Sequence, residues 1–154
     1  MNHEPLRWKA NVTVAAVIEM DHRFLMIEEE SDGLTVINQP AGHLEKDETL
    51  INAVKREVLE ETAWDFEPEK IVGVYLYPNP HIDVTYLRIC FSGSCLHHHA
   101  QRKLDEGIIR AFWITKKELE TQTPKLRSPL VIRCIDDYLA GSQYPLDLLH
   151  HYES

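Results

Sequence analysis

Leu50, Ile51, Val54 and Val58 recur at helical spacing, and a stripe of that period commits residues 47–62 to an amphipathic helix with one face in a core. At roughly 100° per residue, Glu57, Glu60 and Glu61 fall within an arc of about 100° that abuts the stripe. The three carboxylates therefore converge at the core boundary instead of splaying into solvent. Glu57 and Glu61 form an i,i+4 pair of like charge, which costs an isolated helix about 0.2–0.5 kcal/mol. Arg56 can pair with Glu60 at that spacing, but neither Glu57 nor Glu61 has a basic residue three or four positions away. Hard oxygen ligands on one face suit a divalent cation such as Mg2+ or Mn2+. A solvated acidic helix face is the other reading of the same residues.

The preceding residues favour the cation. Asn38-Gln39-Pro40-Ala41-Gly42 is a turn-rich, extended stretch leading into a loop, and Asp47 is the expected helix N-cap. Gly42 lacks a Cβ, so its carbonyl can approach a ligand closely. Such a loop would add an oxygen to those of the helix.

Gly42, five residues, Glu48, seven residues and then Arg56-Glu57-Val58-Leu59-Glu60-Glu61 resemble the Nudix box of the Nudix hydrolases. One position departs: Ala63 stands where the family has glycine, which ends the helix in a left-handed conformation that alanine adopts less readily. A slightly strained helix end is expected there. The resemblance implies a Nudix fold: an α/β, helix–sheet–helix sandwich with a mixed sheet and the box as loop–helix–loop. It implies that Glu57 and Glu61 ligate the cation, with the Gly42 carbonyl as a further ligand. Glu60 would ligate another cation or take the proton of the attacking water. Arg56 would orient the carboxylates through a bidentate pair with Glu48 or Glu60, leaving Glu48 a supporting role. The implied activity is Mg2+-dependent hydrolysis of a phosphoanhydride in a small molecule, with Mn2+ as a possible substitute.

Composition excludes several other classes. A chain of 154 residues makes one ordinary domain, and the resemblance covers about Trp8 to Leu149, so residues 8–149 are read as that single domain. With 25 acidic against 16 basic residues and a formal charge of −9, the chain lacks the basic footprint of a nucleic-acid polymer binder. Cys90, Cys95 and Cys134 show no CxxC spacing and read as reduced thiols, chiefly small apolar fillers. Neither a signal peptide nor an apolar run of membrane-spanning length is visible. A soluble cytoplasmic monomer is expected.

Strand patterns cover Val12–Glu19 and Phe24–Glu29 around a hairpin turn at 20–23, then Thr35–Ile37, Ile71–Tyr77, Val84–Gly93 and Ile108–Ile114. Helical patterns follow at Lys116–Glu120 and Ser128–Ala140, the latter stopping at Gly141. Outside the box, Asp105 and Glu106 read as a solvated loop, in a region where some relatives place an extra acidic ligand or base. The run His97-His98-His99 reads as a loop, because consecutive residues in an extended segment cannot face one point. Arg88, Arg102, Lys103 and Arg127 are candidate phosphate clamps or ordinary surface cations. Tyr75, Tyr77 and Tyr86 alternate so as to line one side of a sheet, for packing or for stacking a ring.

Three stretches resemble one bacterial branch of the family: Val12–Ala15 with Phe24-Leu25, Asn38–Glu45, and Leu126–Val131 followed by Tyr144–Leu146. That branch implies release of terminal phosphate from nucleoside tri- and diphosphates, and from thiamine diphosphate or its hydroxymethylpyrimidine diphosphate precursor. A pyrophosphohydrolase that splits nucleoside triphosphates into monophosphate and pyrophosphate is the alternative. A non-catalytic sensor of phosphorylated ligands is a third reading, although such members tend to lose box carboxylates and this chain keeps them.

Overall fold

The computed structural model describes residues 6–153. Strand β1 (Asn11–Val17) occupies an inner position of a five-stranded sheet, between β5 (Ala41–His43) and β7 (Thr85–His98). Beyond β7 lie β6 (Trp64–Pro78) and the short β9 (Tyr144–Pro145). The β1–β7 pair is parallel and the other pairs are antiparallel, so the sheet is mixed, as expected. A second, antiparallel sheet holds β2 (Glu19–Met20), β3 (Arg23–Ser31), β4 (Leu34–Asn38) and β8 (Ile108–Thr115). The helices are α1 (Leu50–Thr62), α2 (Lys116–Glu120) and α3 (Leu130–Leu139).

A strand with a helix over each face reads as a continuous apolar run, and β1 does. Val14, Ala16 and Ile18 point into a core with Val54 and Val58 of α1. Ala15 and Val17 point the other way, into a core with Val131, Cys134 and Ile135 of α3. β7 divides likewise, Ile89 and Phe91 towards α1 and Cys90 towards α3. All three cysteines are free.

Turn chemistry sets the second sheet's register. Asp21 and His22 have φ of 51° and 63°, and Asp32-Gly33 have 51° and 77°. Two successive positive-φ residues make the two-residue turn that matches strand twist. The Asp-Gly pair carries β3 two residues past the expected end at Glu29.

Several boundaries differ from those read in the sequence. The cap of α1 is Thr49, not Asp47: Thr49 is extended and its Oγ1 accepts from the Asn52 N–H at 3.0 Å. Asp47 instead has φ of 65° and turns the chain before the helix, a conformation that Asp tolerates. Thr49→Ala should therefore cost about 1 kcal/mol in a denaturation experiment, and Asp47→Ala should leave the cap bond intact; a larger loss from Asp47→Ala would reverse the assignment. The turn-rich, extended stretch at 38–42 ends β4 and supplies β5, because Ala41, Gly42 and His43 pair with Ala15, Val14 and Thr13. β6 and β7 run well past the apolar segments at 71–77 and 84–93, since cross-strand bonding continues after alternation fades. His97 and His98 thus lie in a strand, with only His99 beyond it.

α1 ends as its departure from the family pattern implies. Ala63 has φ 63° and ψ 16°, and its N–H returns to the Leu59 carbonyl at 2.9 Å. Glycine takes this conformation without steric cost. Ala63→Gly should raise stability by no more than about 1 kcal/mol, because the unfolded chain also gains freedom. A thermal melt reads this; a loss of stability would show that the alanine methyl, buried at this exit, packs more than it strains.

Candidate active site

The second half of α1, strand β5 and the loop between them bring the box residues together. Glu57 and Glu61 are both buried, and Glu60 is partly exposed. Glu61 Oε1 accepts the Ala41 N–H at 2.8 Å, tying the helix to the edge strand. A Cβ on Gly42 would land on the Glu57 carboxylate, so glycine is required for this approach.

Arg56 is the cation of the cluster. Its Nε and Nη2 donate to the two oxygens of Glu48 at 2.7 and 3.0 Å, a bidentate pair. Nη2 also donates to the His43 carbonyl at 3.0 Å. Nη1 lies 2.7 Å from Glu57 Oε1 and 3.4 Å from Glu60 Oε2. The neighbouring guanidinium reaches Glu57, a contact that spacing rules for helices omit. Arg56 bonding holds Glu48 below the usual carboxylate range.

The other carboxyls shift the opposite way. Burial pushes Glu61 up to about 9; the Ala41 N–H opposes this, and the charges of Glu57, Glu29 and Asp105 add to it. Burial also raises Glu57, against the pull of Arg56. Glu60 is raised by burial and then by Asp105, whose carboxyl faces it. The Asp105 N–H donates to the Glu60 carbonyl at 2.9 Å, so the exposed loop comes back to the helix. Glu106 is simply exposed.

The donor chemistry suits a hard divalent cation: buried carboxylates that one arginine leaves incompletely neutralised and that a cation would ionise. Among the described residues no three His, Cys, Asp or Glu side chains close on one point; Glu57 is turned to Arg56 and Glu61 to Ala41. Glu57, Glu61 and Glu60 are the side chains that would hold an ion.

The remaining candidates separate. Arg88 is a buried cation, not a surface one, and its Nη2 donates to the buried Gln39 side chain. Arg102 and Lys103 are exposed. Arg127 Nη1 lies 2.7 Å from Glu29 Oε1. His99 pairs with Asp65 at 3.0 Å, and the His98 ring lies against Trp64. The Tyr75 hydroxyl donates to Asp137 at 2.7 Å and its ring packs on the core. Glu29, whose charge reaches Glu61, was not singled out from the run Glu28-Glu29-Glu30, because nothing local distinguishes the three.

The sequence pattern of the NUDIX domain matches residues 8–133. Phosphatase NudJ of Escherichia coli is 37% identical over 143 residues, covering 92% of each chain. A solved NUDIX hydrolase from Nitrosomonas europaea superposes with a TM-score of 0.92 at 49% identity, over 94% of this chain and 98% of that one. The MutT protein from Methanosarcina mazei shares the fold, with a TM-score of 0.65 at 23% identity over 88% and 95% of the two chains. This chain belongs to the Nudix hydrolase family. It is an enzyme of the phosphohydrolase type, similar along most of its length to a protein named as a phosphatase.

Proposed function

We propose that the chain is a Mg2+-dependent phosphatase acting on nucleoside tri- and diphosphates and on thiamine diphosphate or its hydroxymethylpyrimidine diphosphate precursor. The observation that carries this is the grouping of three carboxyls on the second half of α1, with Glu57 against Gly42 and Arg56, Glu60 also on Arg56, and buried Glu61 on the Ala41 N–H. The C-terminal stretches Leu126–Val131 and Tyr144–Leu146, together with the similarity to NudJ, support terminal phosphate release.

Glu57 and Glu61 would hold the ion with the Gly42 carbonyl as a further ligand, and Glu60 would either ligate another cation or act as the base. A bound Mg2+ or Mn2+ would neutralise phosphate oxygens and lower the pKa of a water molecule. Glu60, raised in pKa by burial and by Asp105, takes the proton as the water oxygen bonds to the terminal phosphorus. The bond from that phosphorus to the bridging oxygen breaks, and orthophosphate leaves. Arg56 keeps Glu57 and Glu60 in place through its anchorage on Glu48.

The proposed domain is residues 8–149, because Leu146 and Leu149 pack onto the core on the α1 side. No helix among the described residues is long and apolar enough to cross a membrane. A cytoplasmic monomer completes the proposal. The test is a hydrolysis panel of nucleoside tri- and diphosphates and thiamine diphosphate, with orthophosphate and pyrophosphate measured separately. Metal-dependent orthophosphate release is expected. Pyrophosphate as the main product would make the chain a pyrophosphohydrolase, and binding with no turnover would make it a sensor.

A further inference from the structure

Arg88 and Cys90 stand two residues apart on β7 and so share the side of the sheet that faces α3. The buried Arg88 guanidinium bonds the Gln39 side chain and pairs with no carboxylate among the described residues. A buried charge without a counter-ion is costly, and what lies near this one is a pair of thiols. Cys134 of α3 is buried in the same core as Cys90, and the two thiols bond side chain to side chain. That bond, joined by the Arg88 charge and the Tyr75 hydroxyl, lowers the Cys134 thiol from its ordinary value against burial and the Asp137 charge. The same bond and burial raise Cys90. A thiol beside a cation ionises more readily and is the better nucleophile.

A cavity of about 450 Å3 opens between β6 and α3, with Gly73, Tyr75, Arg133 and Asp137 in its walls. Tyr75 separates this cavity from the thiols: it lines the cavity, its hydroxyl donates to Asp137 at 2.7 Å, and it touches Cys134. The ring takes this place because Gly73, opposite Cys90 in the sheet, has no Cβ; one there would meet the Tyr75 hydroxyl. A single half-buried side chain therefore closes the path to Cys134, and a molecule the size of hydrogen peroxide enters when that side chain swings aside. Cys95 packs on the α1 side of the sheet, away from both other thiols, and burial pushes it up to about 12.

We propose that Cys90 and Cys134 form a reversible disulfide when the protein meets a peroxide, a redox lock that ties α3 to β7. The Cys134 sulfur attacks one peroxide oxygen, the O–O bond breaks and hydroxide leaves, so Cys134 becomes a sulfenic acid. The Cys90 sulfur then bonds to the Cys134 sulfur, and the sulfenic oxygen leaves as water with the Cys90 proton. Two thiols are oxidised to one disulfide, and one peroxide is reduced to two waters.

The test treats the whole folded protein with hydrogen peroxide, quenches it, unfolds it in a thiol-blocking reagent and maps the linkages by mass spectrometry of a non-reduced digest. A Cys90–Cys134 link with Cys95 blocked is expected, and dithiothreitol should clear it. The linked protein should melt at a higher temperature than the reduced one, because the bridge closes a long loop of the unfolded chain. Cys90→Ser, probed with dimedone, should stop at a sulfenic acid on Cys134, and Tyr75→Ala, which opens the wall, should speed linkage severalfold. Circular dichroism checks that the variants are folded; if either is not, the wild-type map and melt still decide. Cys90 and Cys134 both found blocked after peroxide, a dimer linked through Cys95 as the main product, or a link that leaves the melting temperature unchanged would overturn the lock.

Discussion

Glu61→Gln should lower metal-dependent turnover by about 10³-fold or more, equivalent to about 4 kcal/mol of transition-state stabilisation, while the protein stays folded. The same variant should make the metal-free protein more stable, in a pH-dependent way. Folded Glu61 keeps its proton up to about pH 9, whereas the unfolded chain releases it near the ordinary carboxylate value. Between those limits the folded state binds more protons than the unfolded state, so wild type loses stability as pH rises. Glutamine has no proton to release. The advantage of Glu61→Gln over wild type should be absent below about pH 4, grow through neutrality and level off above about pH 9. Melting curves in chelator at several pH values would measure it. Saturating Mg2+ should shrink the gap, because a ligand that binds only the folded wild type stabilises it. Turnover near the wild-type rate would remove the case for Glu61 as a ligand.

Gly42→Ala should be nearly as damaging to activity and should also leave the fold intact. The new methyl would meet the Glu57 carboxylate, the tip of a flexible side chain, so the chain relieves the clash by swinging Glu57 aside. Gly42 has no positive φ, and the backbone itself accepts alanine. Stability should stay within about 1 kcal/mol of wild type, and kcat/KM should fall by about 10²-fold or more as Glu57 leaves Arg56. Measuring the melt and kcat/KM on one preparation decides the point. Activity within twofold of wild type would mean that Glu57 can work from another position.

The parts of this fold legible in the sequence were those with local causes. The stripe Leu50, Ile51, Val54, Val58 marked α1, and the β-branched runs marked the inner strands. Ala63 announced a left-handed helix end, which the structure has at φ 63°. Cap choice was less legible, because Asp47 and Thr49 are both good caps and only backbone conformation separates them. β5 was hidden because Ala41-Gly42-His43 has no strand propensity and is a strand through its pairing with β1. The family resemblance implied a bidentate pair of Arg56 with Glu48 or Glu60, and it falls on Glu48. The approach of Asp105 to Glu60 and of Glu29 to Glu61 depends on loops and strands distant in sequence, and carries no periodic signal.

The parallel pairing of β1 with β7 also bears on how the chain is made. Asn11 finds its partner at Tyr86, so during synthesis a strand that is buried on both faces emerges long before one of its two neighbours exists. Hairpins such as β3–β4 can close at once, whereas this pairing must wait on loop closure over half the chain. Until then Val12 to Ile18 present an apolar segment with an unmet edge, the kind of surface that joins to another copy. Rapid synthesis at high concentration should therefore yield aggregates, and slower translation or a holding chaperone should raise the soluble fraction.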